Sequence, residues 1–389
     1  MDLVILRMME PASKLRSIEL LSEYFGIKHR TQNYYESALQ WLTLKTKAEA
    51  IALGFAKKHY AFNFDLLLYD VTTLYFETFE QDELRKNGFS KDSKSQQPQI
   101  LVALMVTKEG FPISYEVFAG NTFEGHTIIP VIKNFITKNN VKEFTVVADA
   151  AMISAENTKA LNENAINYIV GARLGNLSTK LIAEIDTNIE RQDGKSIRIK
   201  TDNGYLICSY SSLRYRKDKY EMEKQIEKAK YIIHHPSKTK KLKFTKSTAN
   251  KIVLNNKLID KTQKLLGIKG YYTNLKESKL SSTIIIARYH ELYKIEQAFR
   301  IAKSDLQTRP IFHYKEEPIK LHLLICFMAL VVSKHIELKT KISIRKFIHE
   351  CKKITDARLK NKITNEESRI RTSLSPTIIE ILRKLNLLT

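Results

Sequence analysis

A chain of 389 residues, 43% of them hydrophobic, can bury a sizeable core in more than one structural unit, which excludes wholesale disorder. Its 64 Lys and Arg against 42 Asp and Glu leave a net charge of +22, a balance that attracts polyanions and points to nucleic acid, with a lysine-rich drift of composition as the competing reading. Cys208, Cys326 and Cys351 stand far apart without CxxC spacing, which argues against a disulfide framework and a zinc cluster.

The opening stretch MDLVILRMMEP carries an early acid and too short an apolar run for a signal peptide. The longest apolar run, LLICFMALVV from Leu323 to Val332, falls well short of the ~20 residues that span a bilayer and reads as a buried core helix. The expectation is a cytoplasmic protein with no membrane partner. Residues 1–60 form a helical N-terminal region, because EPASKLRSIELLSEYFGI and NYYESALQWLTLKTKAEAIALGFAKKH repeat apolar residues every three or four positions. Trp41, the lone tryptophan, reads as core.

Strand signals follow. FDLLLYD, from Phe64 to Asp70, is a nearly continuous apolar run, as in a strand buried on both faces. QILVALMVT and FPISYEVFAG are two more strands, joined by KEG with Gly110 free to take positive φ. A helix from Glu124 to Thr137 comes next, with His126 read as a loop residue at its start. EFTVVADA is a strand that ends on Asp149, a short helix begins near Ser154, and INYIVGA is a fifth strand. This order predicts an α/β fold with a mixed sheet and helices packed on it, in which the two aspartate-ended strands can lie side by side and parallel.

Between residues 173 and 272 the pattern changes. IRIKTDNGYLICSYS is a hairpin turning at Asp202-Asn203-Gly204, RKDKYEMEKQIEKAKYI is a charged helix, and KTKKLKFTKSTANKIVLN is basic and alternating. The basic run KTKKLKFTK is either a solvated edge strand or a DNA-contacting one. The segment is read as a mainly β insertion, because a core-rich helix resumes only after about Ser281. The sequence thus divides at 61–172, 173–272 and 273–338 after the N-terminal region, and 339–389 is a basic, mostly helical C-terminal region broken at NEES and SLSP.

Asp70 and Asp149 each follow a buried apolar run. Singly, such an acid is most simply a turn or cap residue; together, on neighbouring strands, they can form a shared site at the carboxyl edge of a sheet. YHELYKIEQAFRIAKSDLQTRP, from Tyr289 to Pro310, reads as one amphipathic helix. At 100° per residue Tyr289, Leu292, Glu296 and Lys303 fall within a stripe of about 60°, and Lys303 lies about 10 Å beyond Glu296. Glu296 then sits at the edge of the buried face formed by Leu292, Ile295, Phe299, Ala302 and Leu306, held by packing yet turned to a cleft. An exposed helix with scattered charges is the competing reading. Three carboxylates meeting at one place suit two magnesium ions, which activate a water or a 3′ hydroxyl and stabilise a leaving oxygen.

Tyr289-x2-Leu292-x3-Glu296-x6-Lys303 resembles the Tyr-Arg-Glu-Lys signature of bacterial insertion-sequence transposases with a DDE triad, in the branch with a long insertion before the last acid. LLLYDVTTLYFE, GFPISYEVFAGNTFEGHT and VVADAAMIS resemble the segments around the first two acids, so the likeness covers roughly residues 60–335. The resemblance implies a ribonuclease-H-like fold with Asp70, Asp149 and Glu296 as catalytic, metal-holding residues. It assigns Tyr289 and Lys303 to phosphates at the transposon end. The signature's usual Arg is Leu292 here, and Arg300 or Arg288 is the neighbour placed to take that contact. Related proteins commonly carry a longer N-terminal region for end recognition, whereas this chain starts abruptly. The activity implied is cleavage of double-stranded DNA at terminal inverted repeats and transfer to target DNA, with magnesium (manganese able to substitute) and two protomers in the synaptic complex. A nuclease on the same fold that joins nothing, or a DNA-binding remnant, are the rival readings.

Overall fold

A computed structural model describes residues 1–89, 94, 96–141, 143–152, 154–235, 242–248 and 251–388. The chain up to Tyr60 folds as helices α1 (Asp2–Met9), α2 (Lys14–Phe25), α3 (Thr31–Glu36), α4 (Ala38–Leu42) and α5 (Leu44–Tyr60). Ser13 caps α2 by accepting from the Arg16 N–H at 3.2 Å, and Gly26 ends it at φ 69°. The second helical stretch comes in pieces, since the Thr43 hydroxyl donates to the Gln40 carbonyl at 2.6 Å and competes with the helix ladder. Trp41 is accordingly half-buried there instead of sitting in the core.

Strands β1 (Leu67–Tyr75), β2 (Gln99–Thr107) and β3 (Pro112–Ala119) follow, with Gly110 in the intervening turn at φ 83°. Next come α6 (Ile128–Asn139), β4 (Thr145–Ala148), α7 (Ala155–Glu163), β5 (Asn167–Ala172) and α8 (Thr179–Asn188). Strands β6 (Ser196–Thr201) and β7 (Gly204–Tyr210) make the expected hairpin and lead to the charged α9 (Ser212–His234). Then come β8 (Thr245–Thr248), β9 (Lys251–Leu254), α10 (Asn256–Lys264), β10 (Ile268–Thr273) and α11 (Ser282–His290). The chain finishes with α12 (Tyr293–Arg300), α13 (Glu316–Thr340), α14 (Ile344–Cys351), β11 (Asp356–Lys360), β12 (Glu367–Arg371) and α15 (Pro376–Lys384).

The molecule divides into two units, Met1–Asn134 with Tyr293–Thr389, and Phe135–Leu292. In the first, β1, β2 and β3 form an antiparallel meander with β2 in the middle, buried at every position. Helices α5 and α13 pack on β3, and α12 packs on β1 and β2. Tyr115 of β3 meets Phe327 of α13 at 4.9 Å between ring centroids. Helix α13 is long and apolar enough to cross a membrane, yet 72% of its apolar window is buried within the protein, as a core helix requires. Phe327 is only 4% exposed, and burial of one such side chain contributes about 2–3 kcal/mol.

In the second unit the sheet order is β4-β5-β10-β7-β6. β4 and β5 are parallel and the remaining pairs antiparallel, so the sheet is mixed, and α7 and α11 pack on it. The α/β class read from the sequence, with a mixed sheet flanked by helices and helical termini, is the one observed.

Several local expectations differ from the structure. β1 does not end at Asp70 but continues to Tyr75, because VTTLY is itself β-branched and aromatic and stays buried. The stretch 173–272 is not mainly β: it carries α8, α9 and α10 among its strands. Of its basic run, residues 236–241 and 249–250 lie outside the described residues; the flanking parts form the β8–β9 hairpin. The C-terminal region contains the hairpin β11–β12, in which Asp356 at one end bonds Arg371 on the facing strand at 2.7 Å. The single helix expected from Tyr289 is also interrupted. The Leu292 N–H reaches back only three residues to the Tyr289 carbonyl, at 3.1 Å, which closes α11 before α12 begins. Beyond α12 the turn widens to a π-helix over Ile301–Asp305, so the 100° count from Tyr289 to Lys303 does not apply.

Candidate active site

In the second unit, β4 delivers Asp149 at its carboxyl end, where the chain leaves the sheet and turns through Met152, whose N–H donates to the Asp149 carbonyl at 3.0 Å. The Asp149 side chain is exposed. Tyr289, in the last turn of α11, is only 6% exposed and donates its hydroxyl to Asp149 Oδ1 at 3.1 Å. Its ring stands edge-on to Tyr271 of β10 at 4.9 Å, and the Lys269 ammonium lies 4.6 Å from its centroid. His290 Nε2 lies 3.3 Å from the Tyr271 hydroxyl, and burial, with the charge of Lys269 adding, holds its imidazole below the usual range and hence neutral at pH 7.

Gly171 of β5 makes this arrangement possible. A Cβ there would fall 2.6 Å from the Tyr289 hydroxyl and 3.1 Å from Ala150, so any side chain would displace the ring. A cavity of about 610 Å³ opens beside Asp149 and Tyr289, with Arg214, Lys243, Lys261 and Lys269 in its wall. Sequence reasoning missed Gly171, Lys269 and Tyr271. Their role arises from β5 and β10 being neighbours, with Gly171 directly opposite Tyr271, a pairing between residues 100 positions apart that no local pattern encodes.

In the first unit, Asp70 is the fourth residue of β1, half-buried, with Oδ1 accepting from the Val71 N–H at 2.8 Å. Its neighbour Tyr69 is fully buried and shares a 2.7 Å hydrogen bond with Thr127, which fixes the strand beneath it. Glu296 is exposed on α12 beside Ile295 and near Ala298, both wholly buried, so packing holds its backbone while its carboxylate faces out. Because α12 packs on β1, Asp70 and Glu296 come from elements in contact. Arg300 is exposed at the end of α12, and Lys303, in the π turn, is half-buried beside a small apolar cavity shared with Thr72 and Phe299. Tyr289 is buried against Asp149, whereas Arg300 has the exposure that a phosphate contact needs.

The acids suit a divalent ion in kind, being hard oxygen donors in a strongly basic chain. Among the described residues neither Asp149 nor Glu296 is held in an ion pair with Lys or Arg. Among the same residues no group of three or more His, Cys, Asp or Glu is gathered as a ready-made metal cage.

Residues 63–332 match the transposase DDE domain family, a span that contains all three acids, and the chain belongs to that family. Members of the family generally use divalent metal ions. Among solved structures, the chain is similar to a piggyBac transposase synaptic complex with hairpin DNA, determined by cryo-EM. The TM-score is 0.48 at 10% identity, over 89% of this chain and 67% of that one, a likeness too distant to assign residues. No curated protein sequence matches the chain.

Proposed function

We propose that the chain is a DNA transposase of bacterial insertion-sequence type that cuts the ends of its element and joins them to target DNA. The observation that carries this reading is the family match from residue 63 to 332, with Asp70, Asp149 and Glu296 all inside it. In this reading those three carboxylates hold magnesium, for which manganese can substitute. Such ions, when bound, activate a water or a 3′ hydroxyl and stabilise the leaving oxygen.

The chain's own residues supply the rest. Tyr289 ties down one oxygen of Asp149 and leaves the other for the ion. Arg300, exposed on α12, and Lys303 just beyond it bind phosphates of the transposon end. The net charge of +22 supplies the sequence-independent part of affinity, which falls steeply as salt rises. Two protomers hold the two inverted-repeat ends together, in the cytoplasm. The ribonuclease-H-like character of the fold is part of the same proposal.

The test is strand cleavage and joining on DNA carrying the gene's own flanking sequence, with wild type and Glu296→Gln, with and without magnesium or manganese. Metal-dependent cuts at a defined end, joined products, and loss of both in the variant support a transposase that uses Glu296. Cutting without joining replaces it with a nuclease. No cutting by folded wild-type protein refutes the assignment.

A further inference from the structure

Far along the chain from the acids, the first unit has a second cavity of about 270 Å³, lined by Arg7, Lys14, Arg309, His313 and His322 and by no aspartate or glutamate. Its floor is buried: Arg7 is 6% exposed, Lys14 5% and His322 5%. Its rim is open, since Leu15 and Phe312 are exposed. Lys14 Nζ lies 3.0 Å from His322 Nδ1, whose Nε2 lies 3.0 Å from the Thr308 carbonyl, so the imidazole is clamped between them. Lys14 is also the first residue of α2, where the helix dipole adds positive potential to the same place.

We infer that this cavity is a phosphate-binding site, in which Arg7, Lys14 and Arg309 converge on one anionic group and His313 and His322 line it. Like charges gathered on a buried floor are costly unless an anion completes them. The titration of the floor shows that cost. Burial, with Arg7 adding, brings the Lys14 ammonium down to about 7. Burial, with Lys14 and Arg7 adding, takes His313 down to about 4 and His322 well below its usual range. A bound phosphate reverses the sign of the local field, so these groups take up protons as it enters. The size selects the ligand: at about 270 Å³ the cavity lies below the ~300–1,000 Å³ of pockets that swallow drug-sized molecules, so it takes a phosphate group and not a whole nucleotide. Arginine forks match phosphate oxygens, and the group comes either from the backbone of bound DNA or from free phosphate. The inference stands apart from the acid site, and an inactive Glu296→Gln protein would leave it intact.

Two measurements on the full chain test it. The first is thermal unfolding at pH 7 in sodium phosphate, acetate or chloride of equal ionic strength, for wild type and Lys14→Met. Phosphate alone is expected to raise the wild-type Tm by about 2 °C or more, and to leave the variant unmoved. The second is duplex DNA binding against salt. If the phosphate belongs to the DNA backbone, the slope of log K against log salt is shallower in the variant by about 0.9 per lost contact. If free phosphate is the ligand, the Tm responds and the slope does not change. Should Lys14→Met fail to fold, Arg309→Gln on the half-buried wall gives the same two readings. A wild-type Tm indifferent to phosphate together with an unchanged slope, or a phosphate response that survives in the variants, overturns the inference.

Discussion

The hydroxyl of Tyr289 and the carboxylate of Asp149 meet at 3.1 Å, joining the last turn of α11 to the carboxyl end of β4 across 140 residues of sequence. Tyr289→Phe keeps the ring, its packing on Tyr271 and its contact with Lys269, and removes only this bond. If Asp149 is a metal ligand, loss of such a supporting bond is expected to weaken metal dependence about 10-fold, with thermal stability nearly unchanged. A metal titration of cleavage in the two proteins checks it. A Tyr289→Phe protein with the wild-type metal titration but weaker DNA binding would return Tyr289 to a phosphate-contacting role.

Gly171→Ala is expected to act on the same bond from behind. The added methyl would stand 2.6 Å from the Tyr289 hydroxyl, so the ring must shift, at a cost of about 1–3 kcal/mol. Combining it with Tyr289→Phe relieves part of the clash, so the double variant should be more stable than Gly171→Ala alone. Denaturant unfolding of the four proteins measures the coupling; strict additivity would rule the contact out.

Much of this was legible beforehand and some was not. Continuous apolar runs exposed β1, β2, β4 and β5, because strands buried on both faces must be apolar throughout. The hairpin at Asp202-Asn203 was legible for another local reason, its turn chemistry. Asp149 was placed correctly at a strand end, whereas Asp70 was not, since nothing in an acid reveals whether its strand continues. The helix from Tyr289 to Pro310 was misread as continuous. Its apolar period is sound on both sides of Glu291, and the break lies in backbone bonds that tertiary packing selects. Gly171 could not be read at all, because its meaning lies in the residue opposite.

Glu49 offers a stability test. It is 5% exposed on α5 and accepts from the Ser114 hydroxyl at 2.9 Å and the Tyr115 N–H at 3.3 Å, thereby satisfying part of the outer edge of β3. Glu49→Ala leaves both donors buried without it and should cost about 1–3 kcal/mol. Ser114→Ala, which removes one donor with its partner kept, should cost less. Urea midpoints decide between them.

Acid sensitivity follows from His322 and His313. Both are neutral when folded at pH 7 and bind a proton more readily when unfolded, His313 being held at about 4 against 6.5. Their contribution is therefore complete above pH 6.5 and is lost as pH falls from 6.5 towards 4, and for His322 further still. Each proton taken up only by the unfolded chain steepens the loss by about 1.4 kcal/mol per pH unit. His322→Gln should flatten the profile between pH 6.5 and 5 in unfolding experiments; an unaltered slope would mean that the folded protein takes up the proton too.

The wide turn at Ile301–Asp305 has its own consequence. The Leu306 N–H reaches the Ile301 carbonyl at 2.9 Å, five residues back, so the helix has swallowed an extra residue without coming apart. Such a loop of backbone is a rotational spacer. Removing one residue from it would restore ordinary winding and swing Lys303 and everything after it by about 100° relative to Glu296. The angular setting between the last acid and the basic residues that follow is thus adjustable by single insertions and deletions, a degree of freedom that point substitutions do not provide.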